Sequence, residues 1–441
     1  MMRHPDLLGA AMAVGRLGRR SAIQLQMHQD AQLRRLVAHA YQHVPYYRRL
    51  FDQHRLHPRH IRGTADLGLI PVISKSELLD APERDRLTQG LDPAGLLTAR
   101  TSGCSGEPFT IRRSWLEDKV QYVLRLRAYR SMGIHPRDLV AAVGAVKPPD
   151  SADSKMVGRA LNRLGYNRKQ MVDGFERPEV IAERLTALQP DVLVGLPGML
   201  DRLTEPSLAH ALRGVRPRRV VVGGEVLTPA MRSRISARFR ASVLETYGSH
   251  EFPLIAFECR HSGHLHVSDG VILEVLHEGR PARLGERGEV VVTNLHAFAM
   301  PFIRYRLGDL ATRGAWCMCG ASFSTVGGVH GRMVDYFPLP DGRMLHPYEI
   351  VRRLVWGPNE WIRQYQLVQE RRDRIVLHLA AAVPPGDDTI AAISRSVRPL
   401  LGTEVEFDVR LVGDIPLEAS GKLRPSRSLV HSEYDAVTAD V

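Results

Sequence analysis

Cysteine and lysine are both scarce in this chain. Four cysteines (Cys104, Cys259, Cys317 and Cys319) among 441 residues build no disulfide framework, which fits a reducing compartment. No apolar run reaches the roughly 18 residues that a membrane span needs. The one leader-like stretch, Leu7–Val14, runs straight into Gly15-Arg16 and Arg19-Arg20 with no small-residue cleavage pattern, so it reads as an amphipathic helix. These absences predict a cytoplasmic protein. Internal repeats and low-complexity tracts are also missing. Only six of the 60 basic residues are lysines, and Lys422 is the only lysine in the last 272 residues. The net charge of +12 is spread over scattered arginines, with no basic helix or aromatic-studded basic strand. That argues against nucleic acid and for small anionic substrates. Hydrophobic residues at 44% and charged residues at 24% fit a globular protein of two or three domains.

The pattern along the chain changes twice. Residues 23–56 read as helices, with Leu33, Leu36 and Val37 at helical spacing and a break at Pro45. Ser74 caps a short helix, and Arg113–Met132 reads as a long amphipathic one. Strands and helices then alternate: Leu139–Val146, Pro178–Leu188, Val192–Leu196, a helix to Leu212, Arg219–Val222, Pro229–Phe239 and Ser242–Glu245. This predicts an α/β fold with a parallel sheet covered by helices. From about residue 255 to 330, short strands at Val271–Leu276, Gly288–Asn294 and Pro301–Tyr305 predict a small β-rich subdomain. The remainder reads as a compact α+β module: strands Gln364–Gln369 and Arg374–Ala380, helix Asp387–Leu401, strand Glu404–Leu411, then a Gly-Lys loop.

Four motifs carry chemistry. In Thr101-Ser102-Gly103-Cys104-Ser105-Gly106-Glu107-Pro108, glycines let backbone N–H groups approach phosphate oxygens and hydroxyls add donors. No Gly-Lys-Ser/Thr follows, so it is not a Walker A loop. In Glu245-Thr246-Tyr247-Gly248-Ser249-His250-Glu251, the carboxylate of Glu251 can hold Mg²⁺ beside a triphosphate while Tyr247 stacks on a base. In Arg304-Tyr305-Arg306-Leu307-Gly308-Asp309, a turn aspartate can accept both ribose hydroxyls. In Pro416-Leu417-Glu418-Ala419-Ser420-Gly421-Lys422-Leu423-Arg424, Lys422 is a point charge suited to a transition-state oxyanion. Taken singly, each has an ordinary explanation: a turn, a helix N-terminal carboxylate, a turn aspartate, a solvated lysine.

Their order and spacing are more specific. The series Ser-Gly-(Ser/Thr)-(Ser/Thr)-Gly-x-Pro, Tyr-Gly-x-x-Glu, Tyr-Arg-x-Gly-Asp, Gly-Arg and Pro-x4-Gly-Lys-x-Arg resembles the signature of adenylate-forming acyl-CoA synthetases. Leu33 through Tyr41, Val44-Pro45-Tyr46-Tyr47-Arg48, Cys259 through His266, and Ala299 through Arg306 resemble the phenylacetate–CoA ligase branch in particular. The resemblance spans nearly the whole chain. It implies an adenylation domain over 1–332 and a mobile C-terminal lid over 333–441 that carries the catalytic lysine. Ser102, Gly103, Ser105 and Gly106 would cradle the β- and γ-phosphates of ATP. Gly223-Gly224-Glu225 would line the adenine pocket, with Tyr247 and Gly248 beside the base. Glu251 would ligate Mg²⁺, Asp309 would hold the ribose, and Arg332 would sit near it at the hinge. Lys422 would bridge the attacking carboxylate and the α-phosphate. The implied reaction makes acyl-AMP from a carboxylic acid, an aryl or arylalkanoic one by analogy, and then a CoA thioester.

The implied acyl pocket lies between the Arg113–Met132 helix, the Val192–Pro197 strand end and the loops Gly223–Glu225 and Tyr247–Glu251. Tyr122 and Phe252 either face the acyl group or belong to the core. Three positions depart from the signature: Cys104 replaces a hydroxyl, His250 a Thr or Ser, and Val334 a polar hinge residue. Alternatives are transfer of the adenylate to an amine or carrier protein, nucleotidyl transfer, and a nucleotide-binding scaffold without turnover. Separately, Cys259-x6-His266 and Cys317-x-Cys319-Gly320 have the composition of a closed, structural zinc site, with His261 and His264 as competing fourth ligands.

Overall fold

The computed structural model describes residues 21–100, 109–144, 165–166, 168–225, 227, 229–329, 337–345, 347–355, 361–381, 385–413, 415 and 426–430. Contacts divide the chain into two compact units, one of Met1–Ala99 with Ile111–Gly331, the other of Arg100–Thr110 with Arg332–Val441.

Serine caps start the first helices. Ser21 and Gln24 exchange hydrogen bonds in a capping box that opens α1 (Ala22–His43). Leu33, Leu36, Val37 and Ala40 form its buried stripe. Pro45, whose fixed φ suits a first turn, opens α2 (Pro45–Gln53). Ser74 with Glu77 caps α3 (Lys75–Asp80). Strands β1 (Leu97–Arg100) and β2 (Thr110–Arg113) follow, and Ser114 with Glu117 caps α4 (Trp115–Ser131).

The alternating segment then folds as β3 (Val140–Gly144), β4 (Lys169–Asp173), α5 (Pro178–Leu188), β5 (Val192–Gly195), α6 (Pro197–Arg202), β6 (Arg219–Gly223), α7 (Pro229–Phe239) and β7 (Ser242–Tyr247). The helix expected to reach Leu212 ends at Arg202. The Thr204 hydroxyl donates to the Asp201 carbonyl at 2.7 Å, and Pro206 then opens a 3-10 turn.

The β-rich region supplies β8 (Ala256–Glu258), β9 (Leu265–Val267), β10 (Val271–His277), β11 (Arg280–Pro281), β12 (Arg287–Asn294), β13 (Tyr305–Arg313) and β14 (Thr325–Val329). All join one sheet of order β11-β10-β12-β13-β14-β9-β8-β7-β6-β5-β3-β4. The strands from β4 to β7 pair in parallel, and pairing becomes antiparallel at β7–β8, where Tyr247 faces Ala256.

In the second unit, β15 (Phe337–Pro338) pairs with β16 (Met344–Leu345). Helix α8 (Pro347–Val355), strands β17 (Ile362–Arg371) and β18 (Arg374–Ala381), helix α9 (Asp387–Leu401), and strands β19 (Glu406–Val412) and β20 (Ser426–Ser428) follow. The sheet order is β19-β18-β17-β20, with Leu367, Leu377 and Leu379 packed with Val397 and Leu401. Among the described residues no helix is long and apolar enough to cross a membrane.

One buried cation pins the first unit. The strand expected at Pro301–Tyr305 begins only at Tyr305, because Arg304 has φ +50°, outside strand geometry. That turn buries its guanidinium, which forks onto Glu274 (2.9 and 2.8 Å) and also donates to the Ile70 and Gly68 carbonyls. The Arg304 carbonyl in turn accepts from Ile73 N–H at 2.9 Å. Removing one partner of such a buried pair costs about 3 kcal/mol or more. Arg304→Met is therefore expected to lower stability in urea denaturation by about that amount; a loss under about 1 kcal/mol would show that the fork contributes little.

Candidate active site

The loops that leave β6 and β7 emerge at one edge of the sheet, where parallel pairing gives way to antiparallel. In open α/β sheets the ligand crevice lies outside the carboxyl ends of the strands, the ends from which these two loops leave. At Gly223 a Cβ would lie 2.5 Å from the Thr246 carbonyl oxygen, so only glycine fits between the two strand ends. Gly224 follows, and the Glu225 carboxylate accepts from Gly198 N–H at 3.1 Å, capping the start of α6. Thr246 Oγ1 donates to the Val222 carbonyl at 3.1 Å, tying β7 to β6.

Tyr247, Gly248, Glu251 and Asp309 come together here. The Tyr247 hydroxyl donates to Asp309 Oδ2 at 2.8 Å, joining the end of β7 to β13. Glu251 is 8% exposed, and its Oε1 lies 3.4 Å from the Tyr305 hydroxyl, a long contact. No other side-chain partner holds this carboxylate among the described residues. A buried carboxylate with spare oxygen valence suits a hard divalent cation. Asn294 Nδ2 donates to the Glu251 carbonyl at 3.3 Å. Ser102, Gly103, Cys104, Ser105, Gly106, Arg332, Val334 and Lys422 lie outside the described residues.

A cavity opens beside Glu251, lined among others by Arg113, Glu117, Gln121, Asn294 and Phe302. Glu117 accepts from Phe298 N–H (2.5 Å) and Ala299 N–H (2.7 Å), so its charge is spent on the wall. Gln121 donates to Asn294 Oδ1 at 3.2 Å. Arg113 donates to the His250 carbonyl. Burial lowers its basicity, while Asp118, Glu117 and Glu251 pull it back up. Phe252 is fully buried against Phe302 and Tyr305 and belongs to the core. Sequence reasoning singled out neither Tyr305 nor Arg113. Tyr305 stands inside the Tyr-Arg-x-Gly-Asp motif and Arg113 ends the strand that comes after the Gly/Ser loop; Asn294 carries no local signal.

The second cluster also assembles. Cys259 follows β8, His266 lies in β9, and Cys317 and Cys319 fall between β13 and β14; all four ligand atoms lie within 4.8 Å of one another. Cys317 Sγ is 3.7 Å from Cys259 Sγ, and Cys319 Sγ is 3.4 Å from His266 Nε2. Bonds of roughly 2.3 Å to sulfur and 2.0 Å to nitrogen in a tetrahedron separate such ligands by about 3.8 and 3.5 Å, so the spacing fits. Backbone N–H groups of His261 and Ala321 donate to Cys259 and Cys319 at 3.5 and 3.4 Å. Gly320, at φ +78°, closes the turn after Cys319. His261 faces Arg260 and His264 the Ser262 carbonyl, so His266 is the histidine that meets the sulfurs.

Comparisons with known proteins identify the family. The chain is 30% identical over 304 residues to the phenylacetate–coenzyme A ligase of Escherichia coli (strain K12), covering 66% of this chain and 67% of that one. The chain belongs to the phenylacetate–CoA ligase family. A second family member, the phenylacetate–coenzyme A ligase of Thermus thermophilus, is 26% identical over 444 residues, spanning 91% of this chain and 96% of its own. Residues 340–426 match the domain family described as CapK C-terminal domain. In fold, the chain is similar to a 2-hydroxyisobutyryl-CoA ligase solved with 2-HIB-AMP and CoA, with a TM-score of 0.62 and 20% identity over 96% of this chain and 94% of the other.

Behind the Tyr247 loop of this family member sits a carboxylate pair. Arg232 forks onto Glu258 (3.0 and 2.9 Å), and Glu258 also accepts from Glu245 N–H. Burial first, then the Glu258 charge, pushes the Glu245 carboxyl up to about 7, against the pull of Arg232. The folded state thus holds a proton that the unfolded chain releases near its ordinary value of 4.5. The stability this contributes is complete below about pH 4.5 and is lost as pH rises toward 7. Glu245→Gln is expected to match the parent near pH 4 and to exceed it at pH 8, by up to about 3 kcal/mol. Parallel melting profiles across pH 5–8 would overturn this assignment.

Proposed function

We propose that the protein is an ATP-dependent, AMP-forming ligase that converts a carboxylic acid to its acyl-AMP, releases pyrophosphate, and passes the acyl group to CoA as a thioester. The observation that carries this reading is that the chain matches 96% of the T. thermophilus ligase and also gathers Tyr247, Glu251 and Asp309 at the switch of the sheet. The relatives' substrate supports an aryl or arylalkanoic acid.

In this reading Asp309 takes the ribose hydroxyls, and the Tyr247 phenol holds that carboxylate in place. Gly223 and Gly224 leave room for adenine, and residues Ser102, Gly103, Ser105 and Gly106 hold the phosphates. Glu251 would hold Mg²⁺, which neutralises the triphosphate when bound. Lys422 steadies the carboxylate and the α-phosphate as charge develops between them. Residues 333–441 act as a lid hinged near Arg332, a boundary supported by the division of contacts at Gly331. Cys259, His266, Cys317 and Cys319 bind a structural Zn²⁺, which needs reduced sulfurs and so favours a cytoplasmic setting.

Three measurements test this. Exchange of labelled pyrophosphate into ATP should appear with Mg²⁺ and one group of acids from an aryl, cinnamic and aliphatic panel; silence from folded, ATP-binding protein would sink the proposal. Lys422→Ala should lose at least about 100-fold in exchange yet still form thioester from synthetic acyl-AMP, and equal loss in both assays would remove the moving lid. The purified protein should carry one zinc per chain, and its removal by a chelator should lower the melting temperature. A metal-free protein with unchanged melting would rule the zinc out.

A further inference from the structure

Arg113 has a role that the proposed assignments leave open. It is the last residue of β2, the strand entered directly after Pro108, and it lines the cavity that Glu251 also lines. Its guanidinium offers five N–H donors. Among the described residues its hydrogen-bond partner is the His250 carbonyl, one residue before Glu251. The carboxylates that act on it electrostatically are engaged elsewhere: Glu117 by the Phe298 and Ala299 N–H groups, and Asp118 by Lys119 at 3.2 Å. Of the three, Glu251 has on its side chain only the long Tyr305 contact among the described residues, which include no ion pair between it and Arg113. A planar fork of donors and a cation-seeking carboxylate therefore face one cavity without satisfying each other. Diphosphate answers both chemistries, since its oxygens accept from a guanidinium and also coordinate a divalent cation.

We infer that Arg113 binds the pyrophosphate leaving group, its free edge taking phosphate oxygens while its bond to the His250 carbonyl holds the loop that carries Glu251. This rests on the ligase reading. As the carboxylate oxygen bonds to the α-phosphorus, the bond from that phosphorus to the α,β-bridging oxygen breaks, and its electron pair leaves with pyrophosphate. Arg113 meets that charge on the leaving group, and the proton inventory is unchanged.

The test is calorimetric titration of the full chain with magnesium pyrophosphate, and separately with AMP. Arg113→Gln should weaken pyrophosphate binding at least about tenfold, the size of one charge-assisted hydrogen bond, and Arg113→Lys should recover part of it. AMP binding should stay within about twofold in both, because neither variant alters the ribose or base contacts. Unchanged pyrophosphate affinity in Arg113→Gln would overturn the inference, as would equal loss of pyrophosphate and AMP binding or parent protein that binds no pyrophosphate. Parent protein that binds pyrophosphate through Arg113 but exchanges none into ATP would sink the ligase reading and leave the anion site standing.

Discussion

The candidate site depends on a single reversal of direction in the sheet. Strand β7 runs parallel to β6 on one side and antiparallel to β8 on the other. Parallel pairing sends the chain out of β6 and β7 at the same edge, so Gly223–Glu225 and Tyr247–Glu251 must be neighbours. Antiparallel pairing then folds the later strands back beside that edge, within reach of the Tyr247 hydroxyl from Asp309. A sheet that stayed parallel would need a crossover of a dozen or more residues at each step, whereas eight residues separate β7 from β8. The close fit of Gly223 against Thr246 follows from the same constraint, because two strand ends and their loops share one small space.

Buried charge marks which parts of this edge are framework and which are open. Arg304 with Glu274, Glu117 with two backbone N–H groups, and Arg232 with Glu258 are each satisfied on the spot. Such groups, once desolvated, hold elements in register and have no valence left for a ligand. Glu251 and Arg113 differ. Each is buried or largely so, each is tied to the loop at 250–251 or its wall, and each retains unfilled hydrogen-bonding capacity facing the cavity. The contrast marks where the wall has valence left for a ligand, without reference to any motif.

Much of this was readable in the sequence, and most of the failures are long-range in origin. The serine cap at 74 and the alternating apolar runs pointed to a helix start and to the parallel strands, because both are local signals. The helix expected to reach Leu212 failed on local turn chemistry: Thr204 and Pro206 favour a turn that apolar periodicity does not register. Pro301–Tyr305 failed because Arg304 adopts a left-handed conformation to reach Glu274, thirty residues earlier in the chain. Strand pairing across β7–β8 is likewise a long-range fact, so the β-rich region read as a separate subdomain although its strands continue the same sheet. The Cys/His cluster was visible in its spacing, but choosing His266 over His261 and His264 required knowing that it sits in β9 beside β14. The roles of Arg113 and Asn294 depend on what they face, which no local pattern encodes.

In the proposed ligase reaction a lysine at position 422 answers the same electrostatics. The site's described wall offers carboxylates at Glu251 and Asp309 and one open guanidinium at Arg113. A triphosphate and a carboxylic acid brought there would add like charge to like, so the proposed reaction calls for a further cation among the reacting atoms. A guanidinium serves a fixed, bidentate partner well, as Arg304 and Arg232 illustrate. A cation that must fit between a carboxylate oxygen and a phosphoryl oxygen, and then withdraw, has to be compact and free of a preferred fork. That is an ammonium group. In a chain that carries nearly all of its positive charge on arginine, Lys422, which lies outside the described residues, is the candidate for that part in the proposed reaction.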